Sequence, residues 1–179
     1  AISADISLGF ANKSMAAATE GQDSPALSTA YNVPTLGLGM KSVLSGPLSF
    51  QAHLKGDMSA LESLHVYGVD VAPGYAVEVS AGLSYETGHS VFYAGPAISA
   101  VSVDFSTSDA AEQKVFSGFG GVASVSHQVT DLVGVRVQAQ RIINRSVSTW
   151  EQEALNGKIG ALNTNVSELS VGLYTDLTY

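Results

Sequence analysis

The carboxyl-terminal stretch SELSVGLYTDLTY alternates between apolar and small or polar residues, and this alternation limits the possible folds more than any other feature. Leu169, Val171 and Leu173 fall on one side of the stretch, whereas Glu168 and Ser170 fall on the other. A period of two residues is typical of a β-strand with one apolar and one polar face. Seven further segments alternate in the same way, so the sequence predicts eight strands of this kind.

The predicted strands are connected alternately by short turns and by long polar links. The apolar positions of the first seven strands run, at alternate residues, from Ile2 to Phe10, Leu36 to Met40, Leu48 to Leu54, Val77 to Tyr85, Val91 to Phe105, Phe119 to Val125 and Val133 to Ala139. In the fifth strand Gly95-Pro96 predicts a bulge, which leaves open which face of the sheet each following residue points to. The predicted connections are short turns near Ser45, Gly88 and Gln128, and long links over residues 13–30, 56–74, 106–114 and 145–164. In an up-and-down order all short turns lie at one end of the sheet.

The composition indicates one domain and excludes several classes of protein. The 179 residues contain no evident linker, so residues 1–179 are expected to form a single domain. A net charge of −8 does not favour binding to nucleic acid phosphates. Cysteine is absent, which excludes disulfides, and no apolar run approaches the roughly 20 residues of a membrane-spanning helix. The strand pattern begins close to Ala1, as we expect of a mature chain whose signal peptide was removed.

The polar face of the strands is too small and too weakly charged for a surface in water, and this decides which face points inwards. It carries mainly Gly, Ser, Ala and Gln. An eight-stranded barrel leaves an interior just wide enough to be filled by side chains, which suits this face. The apolar face, which includes Tyr93, Val101, Val103 and Phe105, would then contact lipid. The predicted fold is an all-β, eight-stranded antiparallel up-and-down transmembrane β-barrel.

Charges that face the lumen are expected to pair, because an unpaired buried ion is costly. Lys55 and Glu78 lie at similar height on adjacent strands and are predicted to meet, although strand stagger could shift the match by a few residues. A second cluster is predicted low in the lumen, on strands that become neighbours when the barrel closes: Asp5, Lys41, Arg136 and Asp176. The remaining height would be filled by Gln51, His53, Gln138, Gln140 and Glu168.

The terminal strand, with Leu173 and Leu177 at alternate positions before the final Tyr179, resembles the assembly signal of bacterial outer-membrane β-barrels. The whole chain is similar in layout to small OmpA-like, OmpX-like and opacity-type barrels, and FSGFGGVASVSHQVTDLVGVRVQAQR (residues 116–141) resembles their sixth and seventh strands. The resemblance implies a bacterial outer-membrane location, contact with its lipid and lipopolysaccharide, and recognition of the terminal strand by the barrel assembly machinery. It also implies an aromatic girdle, which in this chain would consist of Phe10, Tyr85, Tyr93, Phe105 and Tyr179.

Three basic residues near the end that carries the long links are candidates for contact with lipopolysaccharide phosphates, the alternative being ordinary charges in water. These residues are Lys13, Arg141 and Arg145.

No catalytic, cofactor or metal site is predicted. His89 and Ser90 are adjacent in a short turn and would face opposite ways, so they do not suit catalysis with Glu86. The four histidines show no metal-binding spacing. No helix pattern follows the glycine-rich stretch at residues 118–121, so it lacks the helix dipole of a phosphate-binding loop.

The predicted function is that of a monomeric, non-enzymatic barrel that presents four acidic loops outside the cell. Adhesion, binding of an extracellular ligand and envelope integrity are all compatible with such loops. Three alternatives stay open at this stage: a narrow channel for ions or small solutes, a lipid-A-modifying enzyme and a soluble ligand-binding barrel.

Overall fold

The computed structural model describes residues 2–19, 27–58, 64–66, 69–144 and 162–177, which form an antiparallel β-sheet closed into a barrel. The strands are β1 (Ile2–Thr19), β2 (Leu27–Ser45), β3 (Leu48–Asp57), β4 (Leu64–Val66), β5 (Val69–Thr87), β6 (Ser90–Ser106), β7 (Ala111–Gln128), β8 (Gly134–Asn144) and β9 (Leu162–Leu177). Across these ranges, no helix is long and apolar enough to cross a membrane.

The barrel has eight strand positions, as the alternation predicts. Its strands follow the order β3-β2-β1-β9-β8-β7-β6-β5-β4, and the pairing of β3 with β5 closes the ring. Both β3 and β4 pair with β5, so these two segments share one position. The first and last strands are partners, with Ala4 opposite Leu177. We call the end with the short turns the lower end and the other the upper end.

The three short turns lie where the sequence predicts them. Gly46 and Gly88 begin the first two turns at φ 54° and 59°, a left-handed conformation that glycine adopts without strain. The third turn lies between β7 and β8, where the backbone N–H of Val133 donates to Thr130 Oγ1 at 3.0 Å. All three lower connections are therefore fixed by local sequence.

Most strands extend further towards the upper end than predicted. β1 reaches Thr19, β5 already begins at Val69, and only residues 107–110 connect β6 to β7. A transmembrane strand needs about 9–11 residues. β1, with 18 residues, and β2, with 19, are longer than this, so they are long enough to continue above the hydrocarbon layer.

The lower part of the exterior is apolar, as predicted. Phe10 is 70% exposed, Leu8 64% and Leu173 58%, whereas Ser170 and Tyr174 on the opposite face of β9 are buried. Large apolar side chains therefore cover the lower exterior of the barrel. Exposure of such a surface to water is unfavourable, whereas contact with lipid hydrocarbon is favourable.

The orientation predicted for β6 is wrong. Tyr93, Val101, Val103 and Phe105 are at most 4% exposed and face the interior, while Ile98 and its alternate neighbours face outwards. No bulge forms at Gly95-Pro96 in the pairing with β7, and the register shift lies instead in the β5–β6 pairing, between residues 73 and 76 of β5. The aromatic girdle consequently differs from the predicted one. Its exposed rings include Phe10, Tyr75, Tyr85, Phe92 and Phe119.

Candidate functional site: the barrel interior

A layer of buried charges crosses the lumen. Lys13 contacts Asp57, and its Nζ lies 3.4 Å from Glu168 Oε2. Lys55 contacts Glu168, and its Nζ lies 3.8 Å from Glu78 Oε2. These five side chains, which we call the ionic layer, are each 12% exposed or less. Because they come from β1, β3, β5 and β9, only the closed barrel brings them together.

The ionic layer contains the predicted contact between Lys55 and Glu78, but it also contains Lys13, which the sequence suggested as a lipopolysaccharide contact. Lys13 lies on the same side of β1 as Asp5, facing the lumen, and is 4% exposed. An ammonium group held between two buried carboxylates cannot reach a lipid phosphate, so the lipopolysaccharide prediction for Lys13 is wrong. Arg145 and Tyr179 lie outside the described residues.

The second predicted cluster forms only in part. Arg136 Nη1 donates to Asp5 Oδ1 at 3.2 Å. Lys41 instead pairs with Glu86, with 3.2 Å between Nζ and Oε2, because the stagger of β2 and β5 brings that carboxylate closer. Asp176 is opposite Asp5 in the register and exposed at the lower mouth, and none of the ion pairs found in the described ranges includes it.

Polar side chains fill the lumen below and beside the ionic layer. Gln51 Oε1 lies 2.9 Å from His53 Nε2, and the His53 ring packs edge-on against Tyr93 with 4.7 Å between centroids. Gln138 donates to Gln140 at 3.4 Å, and Gln140 in turn donates to Glu168 in the ionic layer at 3.0 Å. These contacts leave little free volume. One cavity of about 40 Å³ lies against Lys55 and another of about 60 Å³ at the lower mouth, each large enough for a few waters.

Above the ionic layer most buried side chains are apolar, although Lys114 and Glu112 of β7 also occupy inward-facing positions there and form an ion pair. Phe105 and Phe116 are 2% and 1% exposed, and their ring centroids lie 6.5 Å apart. The buried apolar side chains that pack with them in this part of the chain are Ala11, Tyr31, Val33, Val69, Val71, Ala76, Val101, Val103 and Val166. We call this group the apolar plug. The prediction of polar residues over the whole height of the lumen is therefore wrong for the upper part.

The exterior of β1 and β9 changes from apolar to polar towards the upper end. On β1 the outward position after Phe10 is Asn12, whose Nδ2 donates to Asn32 Oδ1 at 3.0 Å. On β9 the outward position above Leu169 is Ser167. Apolar side chains turn inwards where the outside is water and outwards where it is hydrocarbon. This change is visible in the sequence, since after Phe10 the apolar residues no longer fall on the outward positions. The predicted first strand therefore ends at Phe10, although β1 continues to Thr19.

The residues weighed for catalysis do not form a catalytic arrangement with one another. Ser90 Oγ lies 2.9 Å from His127 Nδ1 rather than facing His89, and both histidines are exposed at the lower end. Over the described residues, no three His, Cys, Asp or Glu side chains are grouped closely enough to hold a metal ion.

Arg141 is the candidate lipopolysaccharide contact that faces outwards. It is exposed on β8, between Gly121 of β7 and Ser167 of β9. It therefore lies at the height where the exterior of β9 changes from apolar to polar.

Comparison with solved structures identifies the fold. The chain matches no protein-family model and no curated protein sequence. It is similar to the attachment invasion locus protein Ail of Yersinia pestis, with 11% identity over 98% of both chains and a TM-score of 0.64. Neisserial surface protein A gives 16% identity over 98% of both chains and a TM-score of 0.64. OprG from Pseudomonas aeruginosa gives 12% identity over 99% of this chain and 96% of its own, with a TM-score of 0.53. The chain therefore has the fold of small eight-stranded bacterial outer-membrane β-barrels.

Proposed function

We propose that this protein is a monomeric, non-enzymatic barrel of the bacterial outer membrane that anchors and presents extracellular loops. The observation that carries this proposal is the filled interior. The ionic layer occupies the middle of the lumen and the apolar plug lies above it, so the barrel wall serves to hold the upper connections in place. Function would then reside in those connections, through adhesion, another surface interaction or envelope integrity.

The charge of the chain favours a neutral or cationic partner for these loops. The upper links carry Glu20, Asp23, Glu62 and Asp109, and the whole chain has a net charge of −8. Ail of Yersinia pestis has been crystallised with the heparin analogue sucrose octasulfate, a polyanion. An acidic chain repels such a ligand at low ionic strength, so we expect the partner of this protein to differ. A binding assay against immobilised cationic, neutral and anionic glycans and peptides tests this. Preferential binding to heparin would contradict it.

The membrane location can be tested by the gel mobility of the folded protein. A closed transmembrane barrel in mild detergent is expected to migrate differently before and after heating. Fractionation of expressing cells should place the protein in the outer membrane. A chain that folds in buffer without detergent and shows no heat-dependent mobility would instead support the soluble ligand-binding barrel.

The filled interior leads us to expect that the protein does not conduct ions. Current across a planar bilayer should stay at the background level after insertion, because water and ions do not enter an apolar interior readily. Reproducible single-channel steps that disappear when Val103 in the plug is enlarged to tryptophan would support the narrow channel instead. A change in the mass of lipid A on expression would support the lipid-modifying enzyme.

We further propose that the terminal strand is read by the barrel assembly machinery through Leu173, Leu177 and Tyr179. Support comes from the outward orientation of Leu173 and from the apolar periodicity that leads to Tyr179. Tyr179→Ala should lower the amount of folded protein in cells, while refolding of the purified chain into detergent stays unchanged. Equal losses in both experiments would indicate a role in stability rather than in recognition.

A further inference from the structure

The ionic layer contains more carboxyl groups than ammonium groups. Lys13 and Lys55 lie among three carboxyl side chains, those of Asp57, Glu78 and Glu168. All five side chains are 12% exposed or less, so water compensates little of their charge. If every group were ionised, the layer would carry one net negative charge inside the barrel. Burial of such a charge is costly unless a partner neutralises it.

The contacts within the layer show which carboxyl groups are least compensated. Glu168 contacts Lys55 and lies 3.4 Å from the Nζ of Lys13, so both ammonium groups neutralise it. Glu78 is further from its cation, with 3.8 Å between its Oε2 and the Nζ of Lys55. Asp57 contacts Lys13 through Oδ2 only, and its buried Oδ1 has no hydrogen-bond partner among the described residues. The missing positive charge is therefore needed near Asp57 and Glu78.

The other charged and titratable side chains around the layer do not supply this charge. The lumenal cations above and below it already pair with carboxylates: Lys114 with Glu112, Arg136 with Asp5 and Lys41 with Glu86. Tyr31 of β2 and Tyr93 of β6 also face the interior, but phenol groups are neutral at neutral pH. His53 lies lower, where its ring contacts Gln51 and Tyr93. Within the described ranges, no further lumenal cation is left for Asp57 or Glu78.

A proton suits this position better than a metal ion. Asp57 lies two residues above Lys55, which is opposite Glu78, so the two carboxyl groups are diagonal neighbours on adjacent strands. A metal ion requires space and several oxygen ligands, yet Asp57 and Glu78 line neither of the two lumenal cavities described above. A proton needs no cavity, and it converts a carboxylate into a neutral carboxyl group, which costs less to bury.

We propose that the ionic layer is a proton-binding site, which takes up one proton from water when the barrel folds and holds it on either Asp57 or Glu78. The folded layer then contains two ammonium groups, two carboxylates and one neutral carboxyl group. In the unfolded chain all three carboxyl groups are ionised at neutral pH, because carboxyl groups in water have pKa values of about 4. The folded barrel thus binds one proton more than the unfolded chain. Its stability therefore falls as the pH rises, until the folded layer releases the proton.

The experiment measures unfolding in urea at a series of pH values around neutrality, with the barrel refolded into lipid vesicles. For the wild type, uptake of one proton should raise the equilibrium constant of unfolding about tenfold per pH unit. Glu78→Gln and Asp57→Asn each leave two carboxylates for two ammonium groups, so each should remove this tenfold dependence. The matched control Glu86→Gln removes a carboxylate that is 48% exposed, and it should keep the dependence. All variants retain the four histidines, whose contribution therefore cancels in the comparison.

Two further measurements test the charge count of the layer. Lys13→Met leaves one ammonium group for three carboxyl groups, so this variant should bind two protons. Its equilibrium constant of unfolding should then rise about a hundredfold per pH unit. Infrared spectroscopy of the folded wild type at neutral pH should show the band of a protonated carboxyl group, and this band should be absent from Glu78→Gln and from Asp57→Asn. The infrared measurement requires no unfolding, so it does not depend on how stable a variant is.

Three results would overturn the proposal. The first is a pH dependence that is the same in the wild type, Glu78→Gln and Asp57→Asn. The second is the absence of the protonated carboxyl band from the folded wild type. The third is stability that depends on the concentration of sodium or potassium ions rather than on pH, since the layer would then bind a metal cation.

Discussion

Replacement of Lys13 by methionine tests whether the ionic layer holds the barrel together. Lys13 contacts Asp57 and Glu168, whose side chains are 4% and 0% exposed, and among the described residues Asp57 Oδ1 has no hydrogen-bond partner to compensate for a lost cation. Methionine keeps the length of the side chain but removes the charge. Three carboxylates would then share the one remaining ammonium group, that of Lys55.

The expected loss of stability follows from burial. Removal of one partner from a buried ion pair costs about 3–5 kcal/mol, because it leaves an uncompensated charge. Lys41→Met is the matched control, since Lys41 also pairs with a carboxylate in the lumen. The Lys41 and Glu86 side chains are 29% and 48% exposed, so this pair should contribute only about 0–1 kcal/mol. We therefore expect a difference of about 3 kcal/mol between the two variants.

The free energy of unfolding can be measured by urea titration of the protein refolded into lipid vesicles, with the heat-dependent gel shift as the signal for the folded state. The double variant Lys13→Met/Asp57→Asn should recover part of the loss, because it removes the orphaned carboxylate as well. The reasoning would be refuted if Lys13→Met and Lys41→Met lowered the free energy of unfolding by amounts within about 1 kcal/mol of each other. It would mean that water reaches the layer and screens the charges.

Two further changes test the packing of the lumen and the lipid-facing exterior. Gly134→Ala should destabilise the barrel by about 1–3 kcal/mol, because the new Cβ would lie 2.3 Å from the Tyr174 ring, whereas Gly56→Ala has open space and should be nearly neutral. Leu173→Arg should cost about 2–4 kcal/mol in vesicles, whereas Asn12→Arg near the upper boundary should cost about 0–1 kcal/mol. Urea midpoints for each pair measure both effects, and equal costs within a pair would contradict the assigned environment.

Local sequence was sufficient for the eight strand positions of the barrel, the lower ends of the strands and the lower turns, but not for the upper ends of the strands. The alternation of the terminal strand places Leu173 outwards and Glu168 inwards, and both orientations are present in the structure. Gly46 and Gly88 mark turns because glycine alone adopts their backbone conformation without strain. The contact between Lys55 and Glu78 could also be predicted, since counting residues up from the lower turns places them at similar height on neighbouring strands.

Predictions failed where the medium outside the barrel changes or where distant strands meet. The alternation of β6 continues unbroken through Gly95-Pro96, so Tyr93, Val101 and Phe105 share one face, and pairing with β5 and β7 turns that face inwards. The sequence suggested a position at the rim of the barrel for Lys13. Its carboxylate partners lie on β3 and β9, far away in the sequence. Nothing local to Lys13 indicates either partner.

The sequence by itself determined that this chain forms two-faced strands in an up-and-down order, because a period of two depends only on neighbouring residues and on backbone geometry. Only the tertiary structure decided which face is inside at each height, and which charges meet. Closure and stagger set those heights and bring β1, β3, β5 and β9 together, and the surrounding medium decides whether apolar side chains point towards the axis or away from it.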